Sequence, residues 1–197
     1  MSKERIIEGA KELFRLSGLK STTMDDIAKH IGMSKRTIYE NFKDKEEILV
    51  ACLDQVYWEN RRFSEKVFAE SDNVIEATVI LLRKGAEQAR KQRYMIIEDI
   101  KKYYPEVYQN ILLSQQDDKQ KEMEALVEQG MKEGVFREDL NPEIIAYFFA
   151  QQAEGIAIND QKLDGYSLLE VFKNMVLSFI RGICTPKGLK IINQLTK

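Results

Sequence analysis

The chain has 197 residues, 44% hydrophobic and 31% charged, with only 3 prolines and 10 glycines. That length and mixture suit one or two small soluble domains, and so few helix breakers point to an all-α protein without a membrane span, because no apolar run approaches the ~20 residues that a span requires. The formal net charge of -2 excludes a surface that is basic throughout, so any hold on nucleic acid must come from a local patch.

The opening MSKERIIEGAK has no apolar core of the signal-peptide kind, which sets the expectation of a cytoplasmic protein. A first helix is predicted from residue 3 to about 16, with Ile6, Ile7, Ala10, Leu13 and Phe14 on one face and Ser17-Gly18 at its end. Thr22 and Thr23 stand as N-caps for a second, in which Met24, Ile27, Ala28 and Ile31 share a face and Asp25 and Asp26 complement the helix dipole. Gly32 closes it as a left-handed C-cap, and Ser34 caps a third helix two residues later. In that third helix Ile38 and Phe42 must turn toward the second, leaving Lys35, Arg36, Thr37 and Glu40 outward and Tyr39 and Asn41 toward one edge. Two short helices joined so tightly form a helix-turn-helix, whose second helix enters the major groove of DNA.

Asp44 with Glu47 makes a capping box for a fourth helix, Lys45 to about Phe68, whose apolar positions begin with Ile48, Leu49, Cys52 and Leu53. Lys35, Arg36, Lys43 and Lys45 gather around the third helix and its exit.

These residues resemble the DNA-binding motif of the tetracycline-repressor (TetR) family of bacterial transcriptional regulators. The likeness is carried by Phe14, Gly18, Thr22-Thr23, Ile27-Ala28, Gly32-Met33-Ser34, Thr37-Ile38-Tyr39 and the run Phe42 to Leu49. The resemblance implies a DNA-binding domain over residues 1–47 and a helical effector-binding and dimerisation domain over 48–197. It also implies a homodimeric regulator on palindromic operator DNA, commonly a repressor released by a small molecule.

Within that frame Lys35 and Arg36 are candidates for base edges or phosphates, the alternative being an ordinary solvated face. Thr22, Thr23, Thr37, Tyr39 and Lys45 are candidates for the backbone, Lys45 because its ammonium opposes the dipole of the helix it begins, and Asn41 is a candidate for adenine or phosphate. Glu40-Asn41 departs from the aromatic or histidine pair of many relatives, so a half-site cannot be transferred.

Further along, helices are predicted over Val74 to about Lys91, Tyr94 to Tyr103, Pro105 to about Glu133, Pro142 to about Asn159 and Ser167 to Cys184, with one docked turn in the tail after Pro186. The helices after Pro142 and Ser167 are apolar on several faces, as subunit contacts are. Ala150, Ala153, Ala157, Phe172, Met175 and Phe179 are the candidate dimer residues, in a four-helix bundle of the kind the resemblance implies. Met95, Tyr103, Tyr108, Met123, Tyr147 and Phe172 could line a pocket for a partly apolar effector or could be plain core.

His30 has no second histidine or nearby cysteine to make a metal site, and Cys52 and Cys184 read as buried hydrophobes. No phosphate loop, nucleophile elbow or paired-carboxylate signature is present, so neither catalysis nor a cofactor is expected. Two rivals stay open: a DNA-binding dimer without a small-molecule effector, and an all-helical carrier or enzyme that does not bind DNA.

Overall fold

The computed structural model describes residues 2–91, 95–157, 166 and 168–196; within these, the side chains of 86–91, 95–96, 116, 152–157, 168–169 and 172 are not described. Among the described residues the chain is helical, with one isolated antiparallel bridge, Phe136 to Cys184, and no helix long and apolar enough to cross a membrane. It forms two compact units, Met1–Arg61 with Arg93–Ser114, and Arg62–Gln92 with Gln115–Lys197.

The first unit contains α1 (Ser2–Ser17), α2 (Met24–Ile31), α3 (Lys35–Tyr39) and the start of α4 (Lys45–Glu70). Ile6, Ala10 and Phe14 of α1, Ile27 and Ala28 of α2, Ile38 of α3, Phe42, and Ile48, Leu49 and Cys52 of α4 are buried together. Shortening a fully buried side chain such as Ile38 to alanine would cost about 2–5 kcal/mol, so this core fixes the placement of α3. At Gly9 a β-carbon would stand 2.1 Å from Ile31 Cγ2, which is how closely α1 approaches α2. Arg5 of α1 also donates from Nη2 to the Ile31 carbonyl at 2.9 Å, satisfying an acceptor that the end of α2 leaves open.

A later stretch of chain returns to the same core. α6 (Met95–Tyr103) and α7 (Pro105–Val107) bury Ile100 and Val107 there, with Tyr104 and Tyr108 packed alongside. α7 runs through one wide π turn, Tyr108–Leu112, into α8 (Leu113–Lys132). The single helix expected from Pro105 to Glu133 is therefore interrupted near its start.

The second unit holds α5 (Val74–Lys91), α8, α9 (Pro142–Ala157), α10 (Leu168–Ile183) and α11 (Pro186–Leu195). Val74, Ile75 and Val79 of α5 are buried with Val176, Leu177 and Ile180 of α10 and Ile192 of α11. The turn after α8 brings Val135 and Phe136 into that core, where Thr185 N–H donates to the Val135 carbonyl and Arg137 N–H to the Ile183 carbonyl, both at 3.0 Å. The tail is a full helix rather than the single docked turn expected. Thr185 caps it, accepting from Gly188 N–H at 3.2 Å, and Pro186 occupies its first turn.

Candidate nucleic-acid interface

The geometry of the helix pair begins at its caps. The Thr23 hydroxyl accepts from Asp26 N–H at 3.2 Å, and the Asp26 carboxylate takes the Thr23 N–H at 2.9 Å and its hydroxyl at 2.6 Å, a complete capping box. Those bonds hold the Asp26 carboxyl below its ordinary range. Gly32, at φ 64 and ψ 36, ends α2 in the left-handed conformation that only glycine adopts cheaply. Ser34 then accepts from Thr37 N–H at 3.1 Å to open α3. α3 is five residues long, yet Phe42 N–H still bonds the Ile38 carbonyl at 2.9 Å, so both apolar side chains face inward as the spacing requires.

What α3 turns outward is a short row of polar groups. Arg36 is 88% exposed, Lys35 and Glu40 are exposed, and the Tyr39 ring is 53% exposed. Each cation has a carboxylate partner: Lys35 pairs with Asp25 of α2, Arg36 Nε with Glu40 at 2.9 Å, and Lys43 with Asp44 at 4.0 Å. Exposed pairs of this kind are worth about 0–1 kcal/mol, whereas a bidentate contact with the correct base is worth about 1–3, so DNA can take these side chains from their carboxylates.

Three expected contacts are built differently, and a fourth, Thr37, lies beside the cap of α3. Thr22 is only 2% exposed, and its hydroxyl donates to the Gly18 carbonyl at 2.8 Å, so that side chain braces the turn before α2. Thr23 remains at the surface, but its hydroxyl is engaged in the cap. The Asn41 amide donates to the Thr37 carbonyl at 2.7 Å and accepts from the Ser2 hydroxyl at 3.1 Å, which closes the end of α3. The Thr37 hydroxyl lies 2.8 Å from that of Ser34.

Lys45 departs furthest from expectation. Its ammonium donates to the carbonyls of Leu19 and Thr22, at 2.8 and 2.7 Å, and lies 6.0 Å from the centre of the Tyr104 ring. Burial pulls its pKa down, and the nearby charge of Asp99 pushes it back up. The cation opposing the dipole of α4 is thus answered by backbone carbonyls. At the same helix start Glu47 N–H donates to the Asp44 carboxylate at 2.9 Å, while the Glu47 carboxylate accepts from Lys43 N–H at 2.6 Å, one residue earlier than in the expected box.

Sequence reasoning missed the groups that hold the turn between α1 and α2. Asp99 of α6 accepts from Lys20 N–H at 3.4 Å across 79 positions, and Tyr104 sits beside Lys45. No local pattern carries that signal. His30 pairs with Glu12 at 2.9 Å on the surface of the same unit.

The six candidate pocket residues divide between the units. Tyr103 is exposed and Tyr108 half-buried in the first; Met123 is half-buried and Tyr147 exposed in the second; the side chains of Met95 and Phe172 lie outside the described residues. Of the dimer candidates, Ala150, Met175 and Phe179 are half-buried in the second unit, with Phe179 packed on Phe149 at 5.7 Å between ring centres. The side chains of Ala153 and Ala157, with Phe172, lie outside the described residues. Ile144, Tyr147 and Phe148 of α9 are bare, at 53%, 49% and 54% exposure.

Comparison with known proteins points the same way as the helix pair. Residues 6–52 match the family described as bacterial regulatory proteins, tetR family. The transcriptional repressor KstR2 of Mycolicibacterium smegmatis is 23% identical over 192 residues, an alignment covering 95% of this chain and 93% of the repressor. Among solved structures, a TetR transcription regulator from Haloarcula marismortui superposes with a TM-score of 0.80 at 18% identity, covering 93% of this chain and 98% of that one. The ketosteroid regulator KstR2 of Mycobacterium tuberculosis does so with 0.66 at 18% identity, covering 94% and 96%. At such identities the two structures establish the fold.

Proposed function

The chain belongs to the TetR family of bacterial DNA-binding transcriptional regulators, and on that premise we propose that it acts as a homodimeric repressor, held on a palindromic operator until a small molecule releases it. The observation that carries the reading is the capped α3 with Ile38 and Phe42 turned inward and Lys35, Arg36 and Tyr39 turned out. Lys35 and Arg36 read base edges, Tyr39 and Thr37 hold phosphate, and the first amides of α2 add a backbone contact. Thr22, Asn41 and Lys45 act at one remove, by fixing the turn and the end of α3. Glu40 accepts from a cytosine amine or stays on Arg36.

A dimer lets two copies of α3 meet successive major grooves, about one DNA turn or ~34 Å apart. The bare apolar stripe on α9, with Ala150, Met175 and Phe179, supports a two-fold contact through α9 and α10. Residues 1–47 serve DNA and 48–197 serve effector and partner. A relative described as a ketosteroid regulator makes a largely apolar effector with a polar end the first class to screen. Such an effector favours a dimer geometry that misplaces the two recognition helices, so DNA and effector weaken each other by the same factor.

Selection of genomic fragments by the purified protein, followed by titration, tests the reading. The expected product is an inverted repeat bound by the dimer, with Arg36→Ala reducing discrimination between correct and altered half-sites by roughly tenfold or more. Fragments without dyad symmetry, or wild-type discrimination by Arg36→Ala, would overturn it.

A further inference from the structure

At the end of α6 the Tyr103 ring, about a third exposed, has two ammonium groups against it. Lys20, from the turn before α2, lies 5.4 Å from the ring centre, and Lys102 also lies 5.4 Å away. Each gains from the ring quadrupole, but like charges sharing one ring repel, and among the described residues neither ammonium has an ion-pair partner. Asp99, which could have served Lys20, accepts from its backbone N–H instead. An anion placed over the ring edge would satisfy both cations and could take a hydrogen bond from the phenol.

The place of this patch in the chain, in the turn that leads into the helix pair, points to the anion. Lys45 fixes the carbonyls of Leu19 and Thr22 on either side of Lys20, and α2 starts directly afterwards, its Asp25 holding Lys35 of α3. Lys20 is therefore carried on the flank of the helix pair by a rigid backbone. Phosphates follow one another along a DNA strand at about 3.4 Å of rise, so a strand that passes α3 continues beyond the bases that α3 can reach.

We propose that Lys20, Lys102 and Tyr103 form a second seat for DNA backbone phosphate, outside the half-site read by α3. It rests on the DNA-binding reading above and adds to it a sequence-independent contact from α6.

The test uses the full chain and a duplex selected by the wild-type protein. One form is trimmed to the inverted repeat, and the other carries about ten extra base pairs, one helical turn, on each side. On the extended duplex Lys20→Ala and Lys102→Ala each remove one contact from both subunits of the dimer, and should each lower the slope of log affinity against log salt by about 1.8, roughly a tenfold change in affinity between low and moderate salt. Half-site discrimination should be unchanged, Lys102→Arg should keep the slope, and the trimmed duplex should bind wild type and variants alike. Unchanged slopes on the extended duplex, or equal losses on both lengths, would overturn the second seat while leaving the function standing. A wild-type protein that selects no duplex would overturn both.

Discussion

The two hydrogen bonds from the Lys45 ammonium to the Leu19 and Thr22 carbonyls separate two kinds of lysine that the sequence cannot tell apart. Lys45→Met removes a charged donor from a half-buried site and should lower unfolding stability by about 1–2 kcal/mol after allowance for its partial exposure, read from denaturant midpoints. Its salt slope and half-site discrimination on DNA should stay close to wild type, whereas Arg36→Ala should lose half-site discrimination and little stability. The reverse pattern would return Lys45 to the phosphate backbone. The thiols make a second residue-scale prediction. Burial pushes Cys52 up to about 12 and Cys184 up to about 11, so at pH 8 both should resist a thiol reagent until the chain unfolds. The linkage has a definite sign. The folded protein keeps these protons above pH 9, where the unfolded chain sheds them, so their contribution to stability is present below that pH and falls as pH rises toward 11 and 12. Cys52→Ala should flatten part of that decline.

At the scale of elements, the approach of α1 to α2 depends on one missing side chain. Gly9→Ala would place its methyl 2.1 Å from Ile31 Cγ2, so the helices must part and stability should fall by about 1–3 kcal/mol. Because Ile31 sits one residue before the Gly32 cap, the same change should also weaken DNA binding, measurable by titration at a temperature where the variant is fully folded. The helix pair was readable before any coordinates because its signals are local: Thr23 with Asp26, Gly32, Ser34 and the inward pair Ile38 and Phe42 lie within a few turns of one another. α11 carries an equally local signal in Thr185-Pro186, a cap followed by a first-turn proline, although the apolar cluster Leu189, Ile191 and Ile192 by itself points to one docked turn only. The π turn at Tyr108–Leu112 has no breaker to announce it. The clamp on the α1–α2 turn was out of reach for another reason: Asp99 and Tyr104 come from a distant segment, and only the shared core with Ile100 and Val107 brings them there.

For the whole molecule, the division proposed at residue 47 is one by function, while compactness follows burial. α4 contributes to both units and α6 joins the first, because Ile48, Leu49, Cys52 and Ile100 share the core of the helix-turn-helix. The charge that matters for function is likewise local, since a chain of net charge -2 gains nothing from its overall field when it meets a polyanion. On the proposed reading, affinity comes from pairing two modest contacts, and α9 is the proposed pairing face. Ile144, Tyr147 and Phe148 are spaced so that they fall on one face of the helix, and that face is exposed in the single chain. Phe148→Glu adds a charge there without touching the buried core of the second unit, so the chain should remain helical by circular dichroism but sediment as a monomer. Each half-site would then be held alone, forfeiting an effective concentration in the millimolar range, and operator affinity should fall by roughly a hundredfold or more although every α3 contact is intact. A dimeric Phe148→Glu protein with wild-type affinity would move the subunit contact away from this face, and a monomer that still binds with wild-type affinity would remove the need for a dimer.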